Sequence, residues 1–440
     1  MLETKALSKV VQRAMLVSAY TEREDRAHAE SLLDELEELV DTLGVPILDR
    51  QLIFLREIQP RFLVGSGKAE EYAARVKELG LDVIVFDNEL SPSQQRNWEE
   101  LTGVAVIDRT EVILDIFARR AQSREARMQV ELARWSHALP RLSGAWGHLV
   151  RQGGGIGGRG EGETQLEQDK RRIRTHMDRL KKELLEVKSA RATRRKDRQR
   201  TPVPNAAIVG YTNSGKSSLL RRLTGADVLV EDKLFATLDT TTRKVSLPNK
   251  QPLLLTDTVG FVRKLPHKLV ESFNATLEEA TQSEFLIHLL DASQPEVMEF
   301  YNTTMKVLTE LHADQRPMIM AFNKIDLVED TAVLANLGRH FPQAHFISVQ
   351  TGQGLVGLLE HMGELVSGQA GVRELRLPQT ATEEIARLHR ETRVLETEYL
   401  DDEVRVVALM TPKLAERYAE FLVDERKQEP RKTCSPPAII

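Results

Sequence analysis

The sequence predicts an α/β chain: an N-terminal α/β domain with a long helical hairpin, a central domain of strand–loop–helix units, and a small C-terminal α+β domain. Three observations carry this expectation. Short apolar runs alternate with helical periodicity over the first ~115 residues and again from about 201 to 370. Between them lies a strand-free stretch broken only by Gly153-Gly154-Gly155-Ile156-Gly157-Gly158. Beyond Gly368 and Gly371 a shorter mixed pattern follows to about residue 426.

In order, residues 1–115 form the N-terminal domain. Ala29, Leu32, Leu33, Leu36, Leu39, Val40 and Leu43 recur at helical spacing, and Gly44 is the expected stop. Val83-Ile84-Val85-Phe86 and Val104-Ala105-Val106-Ile107 suit buried parallel strands. Gly65-Ser66-Gly67-Lys68 lacks phosphate-loop spacing and is expected to be a turn capping a helix over 69–79. Residues 116–200 are expected to form a helical hairpin whose tip is the glycine-rich loop 151–162, because such glycine density holds no regular helix or strand. Thr201-Pro202-Val203-Pro204 marks the boundary to a domain over 201–370, with the C-terminal domain at 371–426 and a flexible tail at 427–440.

At 440 residues the chain is long enough for about three domains. Hydrophobic residues make up 41% and charged residues 29%, the balance of a globular rather than a disordered chain. The single cysteine, Cys434, excludes an internal disulfide framework and a cysteine zinc site. No signal-like apolar region opens the chain and no run approaches a membrane span, so a cytoplasmic location without membrane contact is expected. Net charge is −5, but 169–200 alone carries fourteen Lys/Arg against five Asp/Glu. The bland reading of that helix is a solvated, salt-bridged face. The sharper one is contact with a polyanion, its lysines and arginines displacing counterions from phosphates.

The chemistry is concentrated in the central domain. The apolar run Ala206-Ala207-Ile208-Val209 leads into Gly210-Tyr211-Thr212-Asn213-Ser214-Gly215-Lys216-Ser217, and Leu219, Leu220 and Leu223 open a helix. This is a phosphate loop in its strand–loop–helix context: backbone N–H groups wrap phosphates, Lys216 reaches the β and γ groups, and Ser217 offers a hydroxyl to Mg²⁺. Leu253-Leu254-Leu255-Thr256 then ends in Asp257-Thr258-Val259-Gly260, where the acid can hold Mg²⁺ through water and the glycine lets the backbone approach the γ-phosphate. Met318-Ile319-Met320-Ala321-Phe322 ends in Asn323-Lys324-Ile325-Asp326, and His345-Phe346-Ile347 leads to Ser348-Val349-Gln350. The Asp326 carboxylate can accept from guanine N1–H and the 2-amino group, and adenine has neither. GTP and GDP are therefore the expected ligands.

This motif order resembles the translation-factor-type P-loop GTPases. The resemblance implies that Phe235-Ala236-Thr237-Leu238-Asp239 is a first switch whose Thr237 ligates Mg²⁺ directly, and that the Val349 N–H meets guanine O6. Phe261 stands where many such enzymes carry a water-orienting glutamine, so hydrolysis is expected to need a group from elsewhere or a partner. Asn213 resembles the asparagine of GTPases that hold K⁺ at the phosphates.

The whole arrangement resembles the HflX-type ribosome-associated GTPases. It does so through Gly153 to Glu163 with Leu166-Glu167, the phosphate loop, 235–239 and Asp257 to Phe261. It departs at Glu161 and Thr240, where such proteins usually have proline. The resemblance implies a monomer that binds the large ribosomal subunit and its rRNA in the GTP state and separates stalled ribosomes in stress. Its arms and glycine loop then lie near the peptidyl-transferase region, with Arg151 and Arg159 as RNA contacts. Two alternatives stay open: a GTP-dependent assembly checkpoint on pre-ribosomes, and an RNA-modifying GTPase, for which Cys434 is a poor nucleophile.

Overall fold

The computed structural model describes residues 12–145, 161–199, 203–225, 234–235, 237–264, 279–368, 371–400, 402–410 and 412–423. Residues 151–160 of the expected glycine loop, with Arg151 and Arg159, as well as Ala236 and the tail 427–440, lie outside the described residues, whereas Glu161 and Gly162, expected in that loop, open a helix.

The N-terminal domain alternates β1 (Ala14–Tyr20), α1 (Arg26–Thr42), β2 (Ile47–Phe54), α2 (Ser66–Leu79), β3 (Val83–Phe86), α3 (Pro92–Thr102) and β4 (Ala105–Asp108). The strands pair in parallel in the order β2-β1-β3-β4. Both faces are covered, so β3 is buried throughout and its residues are uniformly apolar. Trp98 of α3 fills the core beneath Phe62 and Phe86 and donates its indole N–H to Phe62 O at 2.9 Å. The stop expected at Gly44 coincides with a left-handed residue at φ 71°. One expectation is corrected: α2 starts at Ser66, not at 69, with Gly65 as its extended N-cap. The first-turn N–H groups have no helical partner in any helix, so serine and glycine there interrupt no hydrogen bond.

Helix α4 (Arg109–Arg120) follows β4 at once, capped by Asp108, whose Oδ1 accepts the Glu111 N–H at 3.1 Å. Then come α5 (Arg124–Ala145) and α6 (Glu161–Gln199). They run antiparallel, since Arg124 meets Glu183 and Glu131 meets His176. Met128 and Leu132 of α5 pack on Leu180 of α6, which explains how a helix this polar is held.

The central sheet contains β5 (Asn205–Gly210), β6 (Thr241–Ser246), β7 (Pro252–Asp257), β8 (Phe285–Asp291), β9 (Met318–Asn323) and β10 (His345–Phe346). Their order is β10-β9-β8-β5-β7-β6, parallel except for the β6–β7 pair. Helices α7 (Lys216–Thr224), α8 (Val297–Glu310), α9 (Thr331–His340) and α10 (Leu355–Gly368) complete it. β5 lies between β7 and β8, so the chain leaves it at a point where connections part to opposite sides, the place where open α/β sheets bind ligands. The C-terminal domain is an antiparallel sheet of β11 (Gly371–Pro378), β12 (Arg393–Tyr399) and β13 (Glu403–Met410) in the order β11-β13-β12, with α11 (Thr382–Glu391) and α12 (Pro412–Arg417). Its core is Leu375, Leu377, Leu388, Val404 and Val406. Among the described residues no helix is long and apolar enough to cross a membrane.

Candidate active site

The buried strand β5 delivers the loop 210–217 at the C-terminal edge of the central sheet. Gly215 sits at φ 95°, and a Cβ there would stand 2.4 Å from Asn323 Nδ2. Only glycine meets both conditions. Lys216 opens α7 with its ammonium turned back into the loop, donating to Tyr211 O at 2.6 Å and Gly210 O at 3.2 Å. Burial lowers this ammonium to about 8, and Asp257 acts against that shift. The loop therefore holds a buried cation without a full counter-charge, which an anionic ligand supplies.

Three oxygens of different segments converge beside it. Ser217 Oγ donates to Asp257 Oδ2 at 2.6 Å and lies 2.7 Å from Thr237 Oγ1. The other carboxylate oxygen, Asp257 Oδ1, is buried with no hydrogen-bond partner among the described residues. Burial pushes this carboxyl up, opposed by Lys216 and the two hydroxyls. A set of hard oxygen donors with one orphaned oxygen suits Mg²⁺.

The segment after Asp257 lies along the phosphate loop. Thr258 Oγ1 donates to Ile208 O at 2.7 Å, Thr212 N to Phe261 O at 2.8 Å, and Phe261 N to Gly210 O at 3.2 Å. A Cβ on Gly260 would meet Thr212 Cα at 2.8 Å and Lys216 Nζ at 3.0 Å, so a side chain would occupy the ground in front of the lysine. Phe261 and Val259 are buried in the core.

Asn323 joins the phosphate side to the base side. Its Nδ2 donates to Ser214 O at 2.9 Å, and its Oδ1 accepts from Val349 N at 3.0 Å, so the N–H expected to meet guanine O6 is turned instead to the Asn323 side chain. Lys324, at φ 62°, pairs with Asp291 at 2.8 Å. Ile325 and Asp326 form a short 3-10 turn that leaves the Asp326 carboxylate exposed. Ser348 Oγ accepts from Thr351 N at 3.1 Å and fixes the following turn, on which Gln350 is exposed.

The candidate residues of the first switch do not all face this site. Thr237 does. Phe235 packs edge-on against Phe117 of α4, with centroids 4.6 Å apart, and Leu238 is buried. The Asp239 carboxylate accepts from Gln122 N at 2.9 Å and Ser123 N at 3.0 Å, at the start of α5. Asn213, at φ 58°, is exposed and makes no hydrogen bond among the described residues.

Sequence reasoning missed a buried charge cluster between the N-terminal domain and the loops of the site. Glu35 Oε1 accepts from Tyr211 Oη and pairs with Arg109, both at 2.7 Å, while Glu35 Oε2 accepts from Arg263 Nε at 2.6 Å. Tyr211 Oη in turn accepts from Arg263 N at 2.7 Å. Asp87 pairs with Arg109 at 2.5 Å and with Lys264 at 2.6 Å. The only sequence signal was an acid inside the apolar stripe of α1, between Leu32 and Leu39. A second cluster, Asp108, Glu111 and His137, has ligand atoms close enough for a metal. There the Arg141 guanidinium, 2.8 Å from Asp108, already supplies the positive charge.

A phosphate loop, an Asp-x-x-Gly segment and an Asn-Lys-x-Asp turn on a parallel sheet with one antiparallel edge strand define a P-loop GTPase. The families that match are described as GTP-binding GTPase N-terminal (residues 30–118), GTP-binding GTPase Middle Region (120–198) and 50S ribosome-binding GTPase (205–324). GTPase HflX of Akkermansia muciniphila is 47% identical, the match covering 96% of this chain and 100% of that one. GTPase HflX of Lacrimispora saccharolytica is 44% identical over 94% of this chain and 97% of that one. A GTP-binding protein from Sulfolobus solfataricus, solved in complex with GDP, is 24% identical over 81% of this chain and 99% of that one, with a TM-score of 0.43. The chain belongs to the HflX family of GTPases.

Proposed function

We propose that this GTPase is a monomeric, cytoplasmic switch that binds the large ribosomal subunit in its GTP state and helps to separate stalled ribosomes under stress. The observation that carries nucleotide binding is the Asn323 bridge, which ties the phosphate loop to the Ser348-Val349 turn. The ribosomal reading is supported by the match of 205–324 to a family described as 50S ribosome-binding GTPase and by the basic helix α6. Arg151 and Arg159 of the glycine loop are proposed as contacts to rRNA phosphates. The division at residues 115, 200, 370 and 426 assigns the arm to the ribosome and the central domain to the nucleotide.

In the reaction, water attacks the γ-phosphorus, the bond to the β–γ bridging oxygen breaks, and GDP leaves. Lys216 neutralises charge on the β- and γ-phosphates, and the Gly260 backbone approaches the γ-phosphate. Ser217, Thr237 and Asp257, whose oxygens converge beside Lys216, would hold Mg²⁺, which would supply further charge neutralisation. Asn213 is proposed to hold K⁺, which would add positive charge at the phosphates. Phe261 is buried and has no group that can orient water, so turnover is slow until the ribosome orders one.

Guanine selection by Asp326 is tested by Asp326→Asn. The amide can donate to the C2 carbonyl of xanthine but no longer accepts twice from guanine. GTP affinity is expected to fall about 100-fold and XTP affinity to rise. Unchanged GTP affinity rules out Asp326 as the guanine reader.

A further inference from the structure

Both flanks of Thr237 are anchored at the root of the arm rather than at the nucleotide. On one side Phe235, at φ 55°, is buried edge-on against Phe117 of α4. On the other, the Asp239 carboxylate caps the start of α5. Its Oδ2 accepts the N–H groups of Gln122 and Ser123, and its Oδ1 accepts the Ser123 hydroxyl at 2.5 Å. Ser123 is itself the local N-cap, accepting Ala126 N at 3.1 Å. A carboxylate at this end of a helix also meets the positive pole of its dipole. Asp239 and Thr237 are two residues apart, so the backbone between them spans at most roughly 7 Å. While the cap holds, Thr237 has little freedom to leave Ser217, 2.7 Å away.

We propose that Asp239 is a positioning residue: by capping α5 it sets Thr237 over Ser217 and Asp257, and the same cap passes the presence of the γ-phosphate to the helical arm. This rests on the reading of 235–239 as the first switch. Thr237 is needed at the metal only in the triphosphate state. The cap is therefore strengthened by GTP, and an arm held by its ribosomal partner strengthens Thr237 in return. Sequence spacing conceals this, because Asp239 lies 116 positions after Ser123.

The experiment compares the full-length chain with Asp239→Ala, Asp239→Asn and Ser123→Ala. It measures affinity for GDP and for GMPPNP, single-turnover GTP hydrolysis, and hydrogen exchange of the amides of 124–128 with each nucleotide. Asp239→Ala is expected to weaken GMPPNP about tenfold more than GDP, a loss the size of a helix cap, and to slow hydrolysis by a similar factor. The wild-type difference in exchange between the two nucleotides should disappear. Asp239→Asn, which keeps an acceptor, and Ser123→Ala, which removes only the hydroxyl, should show partial effects in the same order. A purely structural role would weaken both nucleotides equally and leave the exchange difference in place, and either result overturns the proposal. Failure of the wild-type chain to prefer guanine nucleotides at all would instead overturn the switch reading beneath it.

Discussion

The phenol of Tyr211, in the phosphate loop, donates a 2.7 Å hydrogen bond to Glu35 on α1, 176 residues earlier in the chain. Arg263, just beyond the Asp-x-x-Gly segment, donates to the other oxygen of the same carboxylate. One buried acid of the N-terminal domain thus holds both loops that would surround the γ-phosphate. Tyr211→Phe should cost about 1–3 kcal/mol, the penalty for unpaired buried polar groups. Glu35→Ala should cost about 3–5 kcal/mol, because Arg109 and Arg263 would lose the buried carboxylate they share, leaving Arg109 with Asp87 and Arg263 with the more distant Glu299. Urea denaturation of the full chain checks both, and a negligible cost for Glu35→Ala would show that the cluster does not couple the domains.

Burial lowers the Lys216 ammonium to about 8 in the free protein. A bound triphosphate favours the charged form and raises it again. Between those two values, binding must take up a proton. GTP affinity should therefore be constant up to about pH 7.5 and fall above pH 8, approaching tenfold per unit. Titration calorimetry at pH 8.5 in buffers of different ionisation enthalpy should show proton uptake. Affinity that stays flat to pH 9.5 would mean that Lys216 is fully charged before the nucleotide arrives.

Asn213 bears on the monovalent cation. Its exposed side chain leaves a carbonyl oxygen available beside the loop. Hydrolysis should run about tenfold faster in K⁺ than in Na⁺, roughly 1.4 kcal/mol of barrier, and Asn213→Ala should remove the difference. Equal rates of the wild type in the two salts would end the K⁺ assignment.

The central sheet and its loops were legible because phosphate chemistry dictates residue types at fixed spacing. Gly215, Lys216 and Ser217 cannot be exchanged without losing a φ, a charge or a hydroxyl. Guanine chemistry did the same for Asn323 to Asp326. The strands β3, β5 and β7 were legible from apolar runs alone, since a parallel strand covered on both faces has no polar side. What stayed hidden is tertiary. Glu35, Asp87, Arg109 and Arg263 look like surface charges until the fold buries them together, Arg263 lying 228 positions after Glu35. Asp239 read as one more switch residue because its partners, Gln122 and Ser123, carry no motif. The start of α2 was misjudged because Ser66 and Gly67 are poor helix formers in isolation, whereas a first turn tolerates them.

Pelleting the chain with isolated large ribosomal subunits, loaded in turn with GMPPNP and GDP, tests the nucleotide switch most directly. The GMPPNP-bound chain is expected to co-sediment and the GDP-bound chain to stay in the supernatant, with Arg159→Glu weakening the first without changing nucleotide affinity. Equal co-sedimentation with both nucleotides, or none with either, would contradict a GTP-gated partner of the large subunit.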